Sequence, residues 1–126
     1  MFCISEELRV WEREAFAEMQ PECRYATQSG PMLVIDGALH PRFLVDATSR
    51  YIRNGVGVSA DGTRAYFVIS DNPVTFHEFG SLFRDHLKTP NALYYDGKVS
   101  RLFAPDLGRS DSGFPLGVIV GTVISR

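Results

Sequence analysis

Between Thr75 and Ser100 the sequence spells a capped amphipathic helix and then, past a proline, a short aromatic run ending in Asp96-Gly97. Thr75 and Glu78 stand at capping-box spacing, so the hydroxyl and the carboxylate can each satisfy an orphan backbone N–H. Phe76, Phe79, Leu82, Phe83 and Leu87 recur at helical steps, which makes one face apolar and obliges the fold to cover it. Lys88 falls in the last turn, where the helix dipole favours a cation, and Pro90 stops the helix. The spacing predicts a helix over 75–88. Ala92 to Tyr95 is too short for another helix and, rich in aromatics, reads as a buried strand. That strand delivers Asp96 beside a glycine, a common way to bring a carboxylate and close-approaching backbone together.

The rest of the chain is sized to serve one such unit. Its 126 residues suit one domain, burying roughly two thirds of the unfolded surface. Net charge is −2, with Lys and Arg scattered rather than clustered, which argues against a nucleic-acid partner. Apolar runs are short, and Val118 to Val120 is broken by Gly121, so none can span a bilayer and no membrane partner is expected. Met1 to Gln20 contains acidic residues and no signal-peptide core, which makes a cytoplasmic location the default. Cys3 and Cys23 form no C-x-x-C and no disulfide framework, so two free thiols are expected; a bridge would need an oxidising compartment.

Taken in order, Phe2 to Ile4 reads as a strand fragment. Leu8 to Glu12 fits a strand, although Leu8, Trp11, Ala15, Phe16 and Met19 also fit helical spacing; the preferred reading is a strand followed by a helix over Arg13 to Met19. Tyr25 to Pro31 is small and polar, Met32 to Ile35 is a buried strand closing at Asp36-Gly37, and Ala38 to Arg50 is loop-like. Val56 to Val58 and Arg64 to Ser70 flank Asp61-Gly62, the signal for a hairpin. Arg101 to Phe103 is expected as a strand, Ala104 to Pro115 as a surface loop, and Leu116 to Ile124 as a final β run. The sum is α+β: a single domain over 1–126, with a mixed, strand-rich sheet and one main packed helix.

Three polar spots lie beside strand ends or turns: Gln28-Ser29-Gly30, Arg53-Asn54-Gly55, and Asp96-Gly97 with Ser100. A guanidinium fork at Arg53 suits a phosphate or carboxylate, and a surface arginine opening a strand suits the same sequence. Asp96-Gly97 can be a site carboxylate or an ordinary turn, as Asp36-Gly37 and Asp61-Gly62 illustrate. Metal motifs are missing from the sequence: His77-Glu78 does not continue to H-E-x-x-H, and no phosphate-cradling glycine motif occurs.

Taken together, Gln28-Ser29-Gly30-Pro31-Met32-Leu33-Val34, Arg53-Asn54-Gly55-Val56-Gly57 and Asn91-Ala92-Leu93-Tyr94-Tyr95-Asp96-Gly97 with Ser100 resemble the phosphodiester glycosidase family. The similarity covers Tyr25 to the C-terminus. Lys98 and Val99 stand where the eukaryotic branch has glycines, and the Asp-Gly-x-x-Ser form looks like the bacterial branch. Family domains carry a further N-terminal portion, which the resemblance implies this chain lacks. It also implies a hydrolase that separates a sugar from a phosphodiester at the anomeric carbon, with no cofactor and no metal. In that scheme Asp96 and Arg53 are catalytic. Arg53 holds the phosphate, and Asp96 acts as base on water or as nucleophile. Gln28, Ser29, Gly30, Asn54, Gly97 and Ser100 bind the substrate, a small sugar phosphate. Two alternatives stand beside it: a non-catalytic sugar-phosphate-binding module, and a domain completed by another chain, which a homodimer would satisfy. Relatives in the family are often exported.

Overall fold

The computed structural model describes residues 1–116 and 119–125. Strands β1 (Phe2–Ile4) and β2 (Leu8–Val10) form a hairpin, and the next helix is α1 (Arg13–Met19). The Glu12 carboxylate caps α1 by accepting from the Glu14 and Ala15 N–H groups, and Gln20 ends it in the left-handed region. The chain then returns as β3 (Tyr25–Thr27) along the free edge of β1, completing a small sheet of order β2-β1-β3. The sequence reading leaves β3 as a polar connector, because an exposed three-residue strand has too little apolar alternation to register.

Pairing of β1 with β3 also corrects the expectation of free thiols. The Arg24 N–H donates to the Ile4 carbonyl, which sets Cys23 next to Cys3, and the two are joined in a disulfide with Cα atoms 5.5 Å apart. Sequence separation gives no hint of this contact; strand pairing creates it.

The main sheet is built from β4 (Met32–Ile35), β5 (Ala38–Leu39), β6 (Asn54–Val58), β7 (Ala65–Ile69) and β8 (Asn91–Asp96). Its order is β5-β4-β8-β6-β7, and every pairing among the described residues is antiparallel. Asp36 and Gly37 both have positive φ and turn β4 directly into β5, so the loop expected from Ala38 begins with a short strand. Between β7 and β8 lies α2 (Phe76–Ser81), and the expected capping box of Thr75 and Glu78 is present. The helix does not run on in α form to Lys88. Leu82–His86 widens into a π turn, and Lys88 lies beyond it with φ 53°, so its ammonium is not in a final helical turn.

Both faces of the main sheet are covered, giving three layers. On one face α2 and the π turn bring Phe79 and Phe83 onto Leu33, Val34 and Ala92. On the other, Phe2 and Val10 of the small sheet meet Met32, Val56, Val58 and Leu93. The alternation in β6 follows from this arrangement. Val56 and Val58 face the small sheet, while the helix side carries glycine; a Cβ at Gly57 would sit 2.7 Å from Phe83 Cδ1 and 2.6 Å from Thr89 Oγ1. Glycine there lets the helical layer press against the strand backbone.

The ladder around β8 is irregular on both sides. Asn54 faces Asp96 while Gly55 faces Tyr94, so β8 carries one additional residue, Tyr95, at that point. On the β4 side Met32 faces Leu93 and Val34 faces Ala92, which places a second irregularity at Leu33.

Past β8, the strand expected over Arg101 to Phe103 is shifted to β9 (Phe103–Ala104), which pairs with β10 (Arg109–Ser110) across a 3-10 turn at Pro105–Leu107. The final β run expected over Leu116 to Ile124 is not formed among the described residues of that stretch; Gly117 and Val118 lie outside them. Ile119, Val123 and Ile124 are 84%, 97% and 94% exposed, so β propensity there meets no partner strand. No helix among the described residues is long and apolar enough to cross a membrane.

Candidate active site

The central strands β4, β8 and β6 are antiparallel neighbours, so the start of β4, the end of β8 and the start of β6 lie at one end of the sheet. Those are the positions of the three sequence motifs. Ser29 Oγ donates to the Tyr95 carbonyl at 3.2 Å, tying the Gln28-Ser29-Gly30 segment to the end of β8. Asn54 Nδ2 donates to Ser100 Oγ at 2.8 Å, which joins the β6 motif to the turn after β8. Ser100 Oγ in turn shares its one hydrogen between the carbonyls of Ile52, at 2.9 Å, and Asp96, at 3.1 Å. Gln28 and Gly30 are exposed at the rim.

Asp96 is half-buried at the end of β8 and folds back on its own turn. Its Oδ1 accepts from the N–H groups of Gly97 (2.7 Å) and Lys98 (3.1 Å), and Oδ2 accepts from Val99 (3.2 Å). These bonds fix the carboxylate plane and leave acceptor capacity on Oδ2. The Asp-Gly-x-x-Ser motif is thus a self-supporting loop, clasped at one end by Asp96 and at the other by Ser100.

Arg53 points inward. The residue is only 1% exposed. Nε donates to the Val74 carbonyl at 2.8 Å, Nη2 to the Ser49 carbonyl at 3.1 Å and Nη1 to the Tyr94 hydroxyl at 3.3 Å. The guanidinium lies 3.7 Å from the centroid of Phe76, with the Tyr51 and Tyr94 rings at 5.3 and 5.6 Å. A guanidinium is tolerated in such a place because it is weakly hydrated and stacks on aromatic faces. No carboxylate pairs with it among the described residues.

Sequence reasoning missed the aromatic box of Tyr51, Phe76 and Tyr94, since these residues belong to three elements whose meeting only topology produces. It treats Phe76 as helix filling and Tyr94 as strand filling. Burial pushes the Tyr94 phenol above its ordinary range, against the opposing pull of the Arg53 cation. Among the described residues no three His, Cys, Asp or Glu side chains gather as metal ligands. Two concavities among the described residues lie elsewhere: one is lined in part by Cys3, Arg9, Trp11 and Pro21, the other by Trp11, Val58 and Asn91 at the opposite end of β6 and β8.

The sequence profile of the phosphodiester glycosidase family matches residues 3–112. That range begins well before Tyr25, where the motif resemblance starts, and ends before the exposed 119–124 run. The chain is 37% identical over 82 residues to the uncharacterized protein YigE of Escherichia coli (strain K12), an alignment covering 65% of this chain and 32% of YigE. The chain therefore spans about a third of that relative's length. No solved structure gives a significant match. Because the family profile runs through the small sheet, all five main strands and the loop after β8, the chain belongs to the phosphodiester glycosidase family.

Proposed function

We propose that this chain carries the catalytic end of a hydrolase that releases a sugar from a glycosyl phosphodiester by cleavage at the anomeric carbon. Family membership supports the reaction class. The single observation that carries the site is convergence: Ser29 on the Tyr95 carbonyl, Asn54 opposite Asp96, and Asn54 on Ser100, all at one end of adjacent strands.

In this reading water attacks the anomeric carbon, the bond to the phosphate oxygen breaks, and the phosphomonoester departs with the bonding pair. The transition state is oxocarbenium-like. Asp96 either accepts the proton of the attacking water through Oδ2 or forms the glycosyl intermediate that water then opens. The leaving group is already an anion and needs charge stabilisation more than protonation. Arg53 supplies that positive charge. Ser29, Ser100 and the backbone at Gly30 and Gly97 complete the phosphate side, while Gln28 and Asn54 hold sugar hydroxyls or orient Asp96. No metal and no cofactor enter the scheme. The substrate is a small sugar phosphate.

The test is turnover of an N-acetylglucosaminyl phosphodiester, followed by release of free sugar and of phosphomonoester. Asp96→Asn keeps an acceptor for the turn and removes the base, and is expected to lower the rate by at least about a hundredfold. Equal rates for the two proteins, or no turnover by the unsubstituted chain, would count against the proposal. The exposed Ile119, Val123 and Ile124 favour a second reading, a domain completed by strands of another copy. Sedimentation equilibrium distinguishes it, since a monomer at all concentrations excludes that form.

A further inference from the structure

A buried guanidinium without a carboxylate partner is an unusual thing to keep. Arg53 is held by two backbone carbonyls, one phenol and three aromatic rings, all formally neutral. Taking a cation out of water is unfavourable unless charge or strong acceptors compensate it. The side-chain group that Arg53 donates to among the described residues is the hydroxyl of Tyr94, which is only part-buried. Arg53 Nη1 donates to the Tyr94 hydroxyl oxygen, so the hydroxyl's own hydrogen must point elsewhere, and among the described residues nothing accepts it. The hydroxyl lies against Gly97, where an added Cβ would collide with it. Gly97 opens the turn that Asp96 clasps. The phenol thus connects the buried charge to the turn carrying the site carboxylate.

We infer that Tyr94 is a substrate-contacting residue: it accepts from Arg53 and donates its proton in a hydrogen bond to an anionic phosphoryl oxygen of the substrate. This rests on the glycosyl-phosphodiester reading and deepens it. Arg53 becomes a positioning residue, acting through the phenol rather than on the phosphate. A donor polarised by a cation behind it gives a stronger hydrogen bond to an anion than a phenol alone. Gly97 acquires a specific task, which is to leave room for the hydroxyl at the turn. The step is a hydrogen bond only; no bond to carbon or phosphorus changes in it.

The experiment uses the full chain and N-acetylglucosamine 1-phosphate as probe. Affinity is measured by calorimetry for the unsubstituted protein, Tyr94→Phe and Gly97→Ala, with thermal denaturation of each as a check on folding. In parallel, tyrosines labelled with carbon-13 at Cζ are followed by NMR during titration of the unsubstituted protein, the Tyr94 resonance being identified from its absence in Tyr94→Phe. The expected result is a saturable shift of the Tyr94 Cζ signal and about ten- to a hundredfold weaker binding in Tyr94→Phe. A purely structural phenol would not shift with the probe. Binding of equal strength in Tyr94→Phe, or a Tyr94 signal that stays fixed while the probe binds, overturns the inference and leaves the glycosidase reading standing. No binding of the probe by the unsubstituted chain, together with no turnover of the phosphodiester, overturns both.

Discussion

Arg53 shows how far a single residue can depart from its sequence appearance. At the opening of a Val-Gly-Val strand it reads as a surface or site arginine, and that much was legible in the sequence. Its burial was not, because the carbonyls of Ser49 and Val74 and the Phe76 ring belong to segments that the strand itself does not encode. Replacing Arg53 with Leu leaves the Ser49 carbonyl without a donor among the described residues and the Val74 carbonyl with only the Tyr51 N–H, and is expected to lower stability by about 3 kcal/mol, read by urea denaturation. Lysine should recover little, since an ammonium cannot bridge the same acceptors. The neighbouring phenols carry a pH signature. Tyr94 and Tyr95 are both raised above their ordinary value of 10.0, chiefly by burial, with the Thr27 hydroxyl as partner to Tyr95. The native chain then keeps protons that the unfolded chain gives up. Their contribution to stability is intact below about pH 10 and is lost as pH climbs through the folded values. Tyr95→Phe should flatten the alkaline limb of the stability profile. At the β6–β7 hairpin the sign is opposite. Asp61 accepts from Ser59 and Thr63, which lowers its carboxyl to about 2. Its side chain should remain ionised at pH 3 in a carbon-13 titration, and the turn should loosen only as pH falls through that value.

Among the elements, the helix start was the most legible because a capping box is local chemistry: Thr75 and Glu78 need only each other's backbone. Thr75→Ala should cost about 1 kcal/mol in thermal or chemical denaturation. The helix end was misread because apolar spacing at Leu82, Phe83 and Leu87 continues through Leu82–His86 whether the turn is α or π. Packing decides between them. The Thr89 N–H and hydroxyl both donate to the Phe83 carbonyl, at 2.9 and 3.2 Å, and Phe83 seats against Gly57. Gly57→Ala forces a methyl into that contact and should cost roughly 1–3 kcal/mol, with unfolding measured against the Thr75→Ala protein. The short strands β3, β5 and β10 escaped notice for a different reason: two or three residues carry no period, and only their partners make them strands.

At the scale of the whole molecule, the class of fold followed from a single well-marked helix among apolar runs, while the division into three sheets required knowledge of which runs pair. The small sheet is the clearest case. Its covalent tie, Cys3–Cys23 with sequence separation 20, restrains the unfolded chain, and its reduction should lower stability by about 3 kcal/mol. A fall in melting temperature on adding a phosphine reductant, reproduced by the Cys3→Ser, Cys23→Ser double variant, checks this. The additional residue in β8 carries a further consequence. Because β6 advances one step while β8 advances two, Asp96 and Tyr94 are geared to Asn54 and Gly55 through a skipped tooth at Tyr95. Deleting Tyr95 would re-mesh the strands evenly and turn the carboxylate relative to the phenol, with the Asp-Gly-x-x-Ser letters untouched. Spelling alone is therefore a poor guide to which distant cousins keep this corner of the sheet; the spacing between the second tyrosine and the aspartate is what a comparison must preserve.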